Sequence, residues 1–234
     1  VKVSVIVPTY QEERGIVAFL RKFEGQTLPR NEFEILVVDG GSQDRTRELA
    51  VPHADRVVVQ TSPGIGGARN DGVALARADL VATTDADCRI PPDWLERIVA
   101  DFRDPDVVAV CGPDGPVDGG LKARCLYFFV RGFIRAAALA GLYGTGGTNS
   151  AFRKSAFLAI GGYRSLPHSD DVDVGFRIRS RGRIVYDPVL YVGLSVRRLE
   201  KDGYLRTLFT WIRGDLRLLA GKALRPVTYA RQEY

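Results

Sequence analysis

The first half of the chain alternates short β-branched runs with segments in which apolar residues recur at helical spacing. The apolar runs predict five strands, at about residues 3–7, 34–38, 56–59, 80–84 and 107–111. The segments between them predict four helices, at about residues 12–23, 44–50, 67–77 and 93–103. This alternation indicates an α/β fold with a mostly parallel central sheet and helices on both faces.

The second half has a different pattern. After Pro113 it predicts a long apolar and aromatic helix at residues 121–142, a glycine-rich turn, a short strand and two further helical segments, the last at 204–224. No linker, repeat or low-complexity tract separates the halves. We therefore expect one domain over residues 1–234, in which residues 1–112 form a nucleotide-binding half and residues 113–234 form a second half.

Composition places the chain among ordinary globular proteins. Hydrophobic residues make up 45% and charged residues 26% of its 234 positions, so it can form a full-sized core without disulfides. Cys88, Cys111 and Cys125 follow no zinc-binding spacing, which favours a cytosolic protein. Because no run of about 18 apolar residues occurs, the sequence predicts no membrane span. Since the chain lacks Met and begins in a strand-like run, we expect its natural start to have been removed.

Charge is divided unevenly along the chain. Residues 1–120 contain 13 Lys and Arg against 20 Asp and Glu, whereas residues 121–234 contain 20 against 8. The net charges are therefore −7 and +12, which together give the formal +5 of the chain. This asymmetry indicates an acidic half that carries chemistry and a basic half that meets an anion or an anionic surface. Nucleic acid is not expected as a partner, because the basic half has no recognition-helix or RNA-binding signature.

The ends of the predicted strands are the first place to look for a site. In an open parallel sheet, ligands gather beyond the carboxyl ends of the strands. The residues that stand at these ends are Thr9, Asp39, Ser62 and Asp85.

Two carboxylates, Asp85 and Asp87, flank Ala86 directly after the apolar run 80–84. They leave the sheet at its ligand-binding edge and on the same side of the chain. Such a pair suits Mg²⁺ or Mn²⁺, which bridges one or two protein carboxylates to the phosphate oxygens of a diphosphate. The structural alternative is an acidic turn that only keeps a strand end solvated.

The loop after the second strand has its own pattern. The glycines at 40–41 permit a tight turn, and Ser42 and Asp44 can cap the helix that follows. Asp39 has no capping role in that explanation. Its carboxylate can accept hydrogen bonds from the N–H groups of a nucleobase, to which Tyr10 presents an aromatic face.

A glycine-rich segment at residues 64–70 follows the third predicted strand and is similar to a dinucleotide-binding loop, which would indicate an oxidoreductase. That fingerprint belongs to the first strand–helix turn, and the first turn here contains no glycine. We favour a helix N-terminus at which Arg69 faces a phosphate or a base, with Gly67 in the same site. The structural alternative is that the glycines only allow close helix packing.

Two carboxylates, Asp170 and Asp171, stand together at a predicted helix start. They could simply complement the helix dipole. However, like charges that lie close together raise one pKa, which would provide a general base for a hydroxyl proton. His168 is one of only two histidines, and we expect it to be a surface or packing residue and not a catalytic one.

In this order and at these spacings, the motifs resemble a family 2 glycosyltransferase with the GT-A fold, over residues 3–211. The family's Pro-x-Tyr-Asn-Glu loop is present here as residues 8–12, with Gln11 in place of Asn. The resemblance implies that Asp87 is the principal ligand of Mg²⁺ or Mn²⁺, with Asp85 beside it. It implies a nucleotide site that comprises Pro8, Thr9, Tyr10, Glu12, Asp39, Gly67, Arg69, Asp85 and Ala86.

The resemblance also implies roles for the second half, which would hold the acceptor and the catalytic base. Asp170 and Asp171 stand where the family usually has Glu-Asp, so Asp171 matches the base and Asp170 its support. The sugar and acceptor side is expected at Gly147, Thr148, Asn149 and Trp211. Trp211 would replace the Trp of the family's Gln-x-x-Arg-Trp motif, but the residues before it do not match, which argues against processive polymer synthesis.

The implied activity is inverting, metal-dependent transfer of a hexose, with GDP-mannose favoured as donor and UDP-glucose next. We expect a hydroxyl acceptor, because a sugar hydroxyl needs a strong base whereas a phosphate acceptor is already ionised near neutral pH. The alternatives are a polyprenyl-phosphate hexosyl synthase and a non-catalytic sugar-nucleotide-binding module. A nucleotidyltransferase would need a glycine-rich, basic first turn, which residues 8–13 do not supply.

Segments 121–142 and 204–224 are basic and amphipathic, with aromatic and aliphatic residues interleaved with Lys and Arg. Helices of this kind lie on anionic bilayers, so we expect a peripheral protein on the cytoplasmic face of the membrane, with a glycan or lipid-linked acceptor. The alternative is that their apolar faces belong to the core, which we favour for the first helix.

Overall fold

A computed structural model describes residues 1–118, 120–139, 145–166, 168–196, 200 and 203–219. The strands are β1 Val3–Thr9, β2 Phe33–Asp39, β3 Arg56–Val59, β4 Leu80–Thr83, β5 Val107–Cys111, β6 Asp114–Pro116, β7 Ser150–Arg153, β8 Arg183–Tyr186 and β9 Val192–Leu194. The α-helices are α1 Ile16–Leu20, α2 Thr46–Ala50, α3 Gly64–Leu75, α4 Trp94–Asp101, α5 Leu121–Leu139, α6 Lys154–Ala159, α7 Asp170–Ile178 and α8 Tyr204–Leu219. Short 3₁₀ helices span Arg21–Gly25, Arg30–Glu32 and Val51–His53.

The five strands predicted in the first half are all present, and each end lies within two residues of its predicted position. The first helix is much shorter than the predicted 12–23, because the chain enters α1 only at Ile16 and continues after Leu20 as a 3₁₀ helix. The amide of Glu12 donates to the hydroxyl of Thr46, 2.8 Å away. This contact with the first residue of α2, which periodicity cannot reveal, binds a residue that was expected to be helical.

Seven strands form one sheet in the order β3-β2-β1-β4-β7-β5-β8. All neighbours are parallel except β7, which runs antiparallel between β4 and β5. β6 and β9 form a separate parallel pair. Every residue of β1 and β2 is buried, as expected for parallel strands that helices cover on both sides.

The core divides into two apolar layers, one on each face of the sheet. Alternate residues of β1 point to opposite faces, so Val5 packs with α1 and α4 while Ile6 packs with α3, α6 and α7. Trp94 and Phe157 are the largest side chains of α4 and α6 in these layers, and both are fully buried. The α/β architecture with helices on both faces is therefore confirmed.

The antiparallel strand β7 was expected only as a short strand of unassigned direction. Because it runs against β4, the residues that precede it lie at the same edge of the sheet as the carboxyl end of β4. Ser150 at its start faces Thr83 at the end of β4. This reversal brings the loop at residues 145–149 to the ligand-binding edge.

Helices α5 and α8 adjoin through a small apolar cluster that contains Ala123 and Tyr127 of α5, with Tyr204 of α8 packed against it. The predicted extensions of these helices, at residues 140–142 and 220–224, lie outside the described residues. Within the described ranges, no helix combines the length and the hydropathy that a membrane crossing requires.

We predict that Gly72→Ala destabilises the fold. A Cβ at Gly72 would overlap Cγ2 of Ile6 and would lie 3.1 Å from Cγ2 of Val38, so α3 could not stay against β1 and β2. We expect the free energy of unfolding to fall by about 1–3 kcal/mol, the usual range for overpacking a core. Chemical denaturation monitored by circular dichroism measures it.

The control is Gly132→Ala in α5, where a Cβ would meet nothing within 4 Å. This variant should be slightly more stable than the natural chain, because Ala favours a helix over Gly by about 0.5–1 kcal/mol. Equal stability of the two variants would contradict the packing argument.

Candidate active site

The loops after β1 and β2 are joined by hydrogen bonds. The amide of Gln11 donates to Oγ of Ser42 at 2.9 Å. Gln11 has a φ of 53°, a left-handed conformation that Asn adopts more readily than most residues. This conformation gives a physical reason for the Asn that the related motif carries at this position. Tyr10 lies beside Gly40, where a Cβ would be 3.3 Å from its Cδ2 atom.

Asp39 is fully buried at the end of β2. Its Oδ2 atom accepts the amide hydrogens of Gly41 and Ser42, at 2.9 and 2.8 Å, and its Oδ1 atom accepts the Ser42 hydroxyl. Sequence reasoning assigned Asp39 no role in the turn, and this part of the argument was wrong because the carboxylate organises its own loop. Contact between Asp39 and a nucleobase stays a prediction.

Glycines at the start of α3 allow two close approaches. A Cβ at Gly67 would lie 2.7 Å from the carbonyl carbon of Ser62, and a Cβ at Gly66 would lie 2.9 Å from Oδ2 of Asp170. Ser62 is itself held by Asp71, whose Oδ1 atom accepts its hydroxyl at 2.6 Å. These distances give both glycines a packing role, which was the structural alternative, and a contact of Gly67 with nucleotide stays a prediction.

Arg69 lies at the centre of the site with 3% of its side chain exposed. Its Nη2 atom donates to Oδ1 of Asp85 at 2.8 Å, and its Nη1 atom lies 3.9 Å from Oδ2 of Asp170. The guanidinium also stands over the ring of Tyr163, 5.5 Å from its centroid. Burial alone would lower the pKa of Arg69, but the neighbouring carboxylates raise it, so the side chain stays cationic.

The two carboxylates after β4 differ in their surroundings. Asp85 is 25% exposed and paired with Arg69, Ala86 is buried, and Asp87 is exposed at the surface of the loop. Among the described residues, no group of three His, Cys, Asp or Glu side chains is arranged to hold a metal. The two carboxylates fit a hard cation that takes its remaining oxygen ligands from a diphosphate and water.

Asp170 and Asp171 begin α7, directly after Ser169, whose φ is 59°. Oδ2 of Asp171 accepts the amide hydrogen of Gly147 at 3.0 Å, and its carbonyl accepts the Thr145 hydroxyl at 2.6 Å. Burial raises the pKa of Asp170, the negative Asp85 adds to this effect, and Arg69 opposes it. The hydrogen bond from Gly147, in the loop before β7, holds the carboxylate of Asp171 in one orientation.

The residues expected on the sugar and acceptor side have different surroundings in the structure. Thr148 lies beside Asp114, with Oγ1 3.4 Å from Oδ2. Asn149 is 1% exposed and accepts the indole hydrogen of Trp94 at 2.9 Å, which gives its side chain a structural role that sequence reasoning did not anticipate. Trp211 belongs to α8, and its side chain is outside the described part of the chain.

Sequence reasoning missed Tyr163, whose ring lies under Arg69. Asn70 fixes its backbone on both sides: its Nδ2 donates to the Tyr163 carbonyl and its Oδ1 accepts the Tyr163 amide, each at 2.8 Å. The glycines at 161–162 both have positive φ, so the tight turn before Tyr163 was a usable signal. Asp114 was missed as well, because it begins β6, a three-residue strand that the sequence did not predict.

The chain belongs to glycosyl transferase family 2, which matches residues 4–161. The glycosyltransferase AglE of Haloferax volcanii is 35% identical over 116 residues, which cover 47% of this chain and 38% of that protein. An undecaprenyl-phosphate 4-deoxy-4-formamido-L-arabinose transferase of Pseudomonas aeruginosa is 38% identical over 105 residues, or 42% and 31% of the two chains. The chain therefore spans about a third of the length of these relatives.

Solved structures share the whole fold. A mannosyltransferase from Pyrobaculum calidifontis, in complex with GDP-Man and Mn²⁺, superposes with a TM-score of 0.76 at 26% identity, covering 97% of this chain and 67% of that one. TarS of S. aureus in complex with UDP-GlcNAc has a TM-score of 0.67 at 22% identity, and the match covers 84% of this chain and 59% of that one. The expected GT-A fold is confirmed by these similarities.

We predict that Asp170→Asn stabilises the protein at neutral pH. A carboxyl whose pKa is raised by folding binds more protons in the native state than in the unfolded state, so it costs stability once the pH exceeds its ordinary pKa of 3.8. Asn removes that cost. The free energy of unfolding should therefore be higher for the variant at pH 7, and the difference should disappear below pH 3.8.

Asp104→Asn is the matched control, and we expect it to lower the free energy of unfolding at pH 7. The amide hydrogen of Asp106 and the guanidinium of Arg183 lower the pKa of Asp104, so its charge adds stability above its ordinary pKa, and this stability is lost as the pH falls. Urea titrations across the pH range measure both variants. A less stable Asp170→Asn at pH 7 would contradict the assigned environment.

Proposed function

We propose that this protein transfers a hexose from a nucleoside-diphosphate sugar to a hydroxyl acceptor, with inversion at the anomeric carbon. The observation that carries the proposal is the position of Arg69 between Asp85, at the end of β4, and Asp170, at the start of α7. The leaving-group side of the site and the base side thus meet at one buried cation. An inverting transfer needs these two functions on opposite sides of the reacting carbon.

On the donor side, the loops after β1, β2 and β3 would hold the nucleoside, and Arg69 would face the diphosphate. Its permanent positive charge in a buried setting can stabilise negative charge that develops on a departing phosphate. Asp87 and Asp85 would hold Mg²⁺ or Mn²⁺, which supplies further charge neutralisation at the diphosphate when it is bound. We assign residues 1–112 to the donor and residues 113–234 to the acceptor and base.

On the acceptor side, Asp171 would remove the hydroxyl proton. The Gly147 amide orients one carboxylate oxygen, and the other accepts the amide hydrogen of Val172 at 2.9 Å. A carboxylate oriented in this way can present a lone pair to an incoming hydroxyl. Thr148 and Asp114 lie close by and would contact the sugar or the acceptor.

The mannosyltransferase from Pyrobaculum calidifontis supports GDP-mannose as the donor, since that protein was solved with GDP-Man and Mn²⁺. UDP-glucose is the second option. The Pseudomonas aeruginosa relative, which by its name acts on undecaprenyl phosphate, favours a second candidate function in which the acceptor is a polyprenyl phosphate. The carboxylate pair at the start of α7 favours a hydroxyl acceptor. A phosphate acceptor needs no base, and two carboxylates would repel it.

We also propose that the protein works at the surface of an anionic membrane, on its cytoplasmic face. Phe128 and Phe129 of α5 are 74% and 72% exposed, so the core packing favoured for this helix from the sequence is wrong for these two rings. Phe209 of α8 is 67% exposed. Exposed Lys and Arg side chains, among them Arg124 and Arg213, lie on the same helices. Large exposed aromatic residues with basic neighbours are typical of helices that rest on anionic lipid.

We predict that one nucleotide series raises the melting temperature in a metal-dependent manner, because a ligand that binds only the folded state stabilises it. The panel consists of UDP, GDP, UDP-glucose and GDP-mannose, each with and without Mn²⁺ or Mg²⁺. Asp171→Asn should keep the donor-induced shift and lose sugar transfer by at least about 100-fold, as expected for loss of a general base. Thermal shift and nucleoside-diphosphate release measure the two effects.

Three outcomes would contradict the assignment. Near-normal turnover by Asp171→Asn would exclude it as the base. A nucleotide-induced shift without transfer or donor hydrolysis in the presence of metal would favour a non-catalytic sugar-nucleotide-binding module, and absence of any shift in a folded protein would exclude these donors. Transfer to undecaprenyl phosphate but not to a sugar hydroxyl would establish the second candidate function.

We predict that the protein floats with vesicles that contain phosphatidylglycerol and not with pure phosphatidylcholine, and that salt weakens the binding. Replacing Phe128 and Phe129 together by Ser should reduce flotation, because both exposed rings are removed. Leu158→Ser is the control, since Leu158 is a similarly exposed apolar residue on α6. A protein that stays at the bottom of the gradient with anionic vesicles would rule out this surface.

A further inference from the structure

Helix α8 packs, at a glycine, against the side chains of the turn that precedes Asp170 and Asp171. Gly214 is buried in this contact. A Cβ at Gly214 would overlap the imidazole ring of His168 at Cε1 and Nδ1, and it would lie 2.8 Å from Oγ of Ser169. The backbone of α8 therefore lies directly on residues 168–169.

The turn that α8 covers has an unusual backbone. Ser169 has a φ of 59°, which is uncommon for a residue with a side chain. Its hydroxyl lies 3.2 Å from Nδ1 of His168, and its carbonyl accepts the amide hydrogen of Asp173 at 3.0 Å. A backbone held in this region needs support from its surroundings, and α8 supplies a rigid surface against it.

The direction in which α7 starts depends on this turn. Asp170 and Asp171 follow Ser169 directly, so a change in the turn moves both carboxylates. On the far side, Gly147 and Thr145 hold Asp171 by hydrogen bonds to its carboxylate and its carbonyl. Asp171 therefore lies between the hydrogen bonds from Gly147 and Thr145 on one side and the turn that contacts α8 on the other.

We infer that Gly214 and His168 are positioning residues for the reaction, through which α8 sets the orientation of Asp170 and Asp171. The inference rests on the proposed function for the role of Asp171 as the base. The His168 ring is the spacer between α8 and the turn, and Gly214 is required because only a residue without a Cβ lets the ring fit.

The test compares Gly214→Ala with Gly132→Ala, a helical glycine on α5 with nothing within 4 Å of its Cβ. The first measurement is donor hydrolysis in lipid-free buffer, with GDP-mannose and UDP-glucose as probes and water as acceptor. For Gly214→Ala we expect kcat to fall about 10- to 100-fold, since displacement of a catalytic group by about 1 Å can have that effect. KM should change less than about twofold, because the loops after β1, β2 and β3, which hold the nucleoside in the proposed function, lie outside the displaced turn.

The second measurement does not depend on activity. The Gly147 amide donates to the Asp171 carboxylate, so its hydrogen-exchange rate reports the position of the base. We expect faster exchange at Gly147 in Gly214→Ala and no change in Gly132→Ala. Unchanged exchange and unchanged kcat in a folded Gly214→Ala would overturn the inference.

A double variant separates positioning from general loss of packing. His168→Ala removes the ring that a methyl group at position 214 would overlap, so Gly214→Ala should add little further loss in that background. Multiplicative losses in the double variant would show that the two residues act independently and would also overturn the inference. If Gly214→Ala fails to fold, His168→Ala alone tests the inference. We then expect kcat of His168→Ala to fall while KM is retained, and a normal kcat would reject the inference.

The outcomes distinguish the inference from the function on which it rests. If Asp171→Asn loses hydrolysis while Gly214→Ala keeps it, only the role of α8 is rejected. If the natural chain neither hydrolyses a probe nor transfers its sugar to a hydroxyl acceptor, the proposed function fails, and Gly147 exchange still tests whether α8 sets the Asp171 carboxylate.

Discussion

The structure of the site depends on one buried cation, the guanidinium of Arg69. A charge in an apolar interior is costly unless a carboxylate or hydrogen bonds compensate it, so Arg69 requires Asp85, 2.8 Å away, while Asp170 is a weaker contact at 3.9 Å. These three residues come from α3, the end of β4 and the start of α7, which are far apart in the chain. The guanidinium therefore links α3 to the loop after β4 and to the start of α7. The same charge, held in place before any ligand arrives, is suited to a departing diphosphate.

Close approach makes this interaction possible, and glycine makes the close approach possible. A Cβ at Gly147 would lie 2.8 Å from Nη1 of Arg69, and one at Gly66 would lie 2.9 Å from the Asp170 carboxylate. Both glycines lie in segments that looked, from sequence, like ligand-binding loops. In the structure they let backbone and guanidinium meet, so that the carboxylates can be near the cation without a layer of side chains between them. Gly214 likewise permits a close approach, here between α8 and the turn at residues 168–169.

Much of the first half of the fold could be predicted because its signals are local. Parallel strands buried on both faces appear as apolar runs, and the β1 and β2 runs were placed almost correctly. The short helix α1 was overestimated because hydrogen bonds from the neighbouring loop bind residues that periodicity assigns to a helix. Strands β6 and β9 have only three residues each, too few for a periodic signal. Asp39 was predicted to contact a nucleobase and Asn149 the sugar or acceptor, and their buried hydrogen-bond partners within the protein were invisible to sequence reasoning.

The amino-acid sequence by itself determined the α/β class, the places where strands end and the residue types available at those ends, since these follow from local periodicity and chemistry. Only the tertiary structure decided which of those ends meet. The antiparallel direction of β7 brings Gly147 to Asp171, the position of α3 brings Arg69 to two carboxylates, and α8 covers the turn at Ser169. These are contacts between distant parts of the chain, and their energies depend on burial and on close approach. Neither quantity exists until the chain has folded, so neither can be obtained from spacing along the sequence.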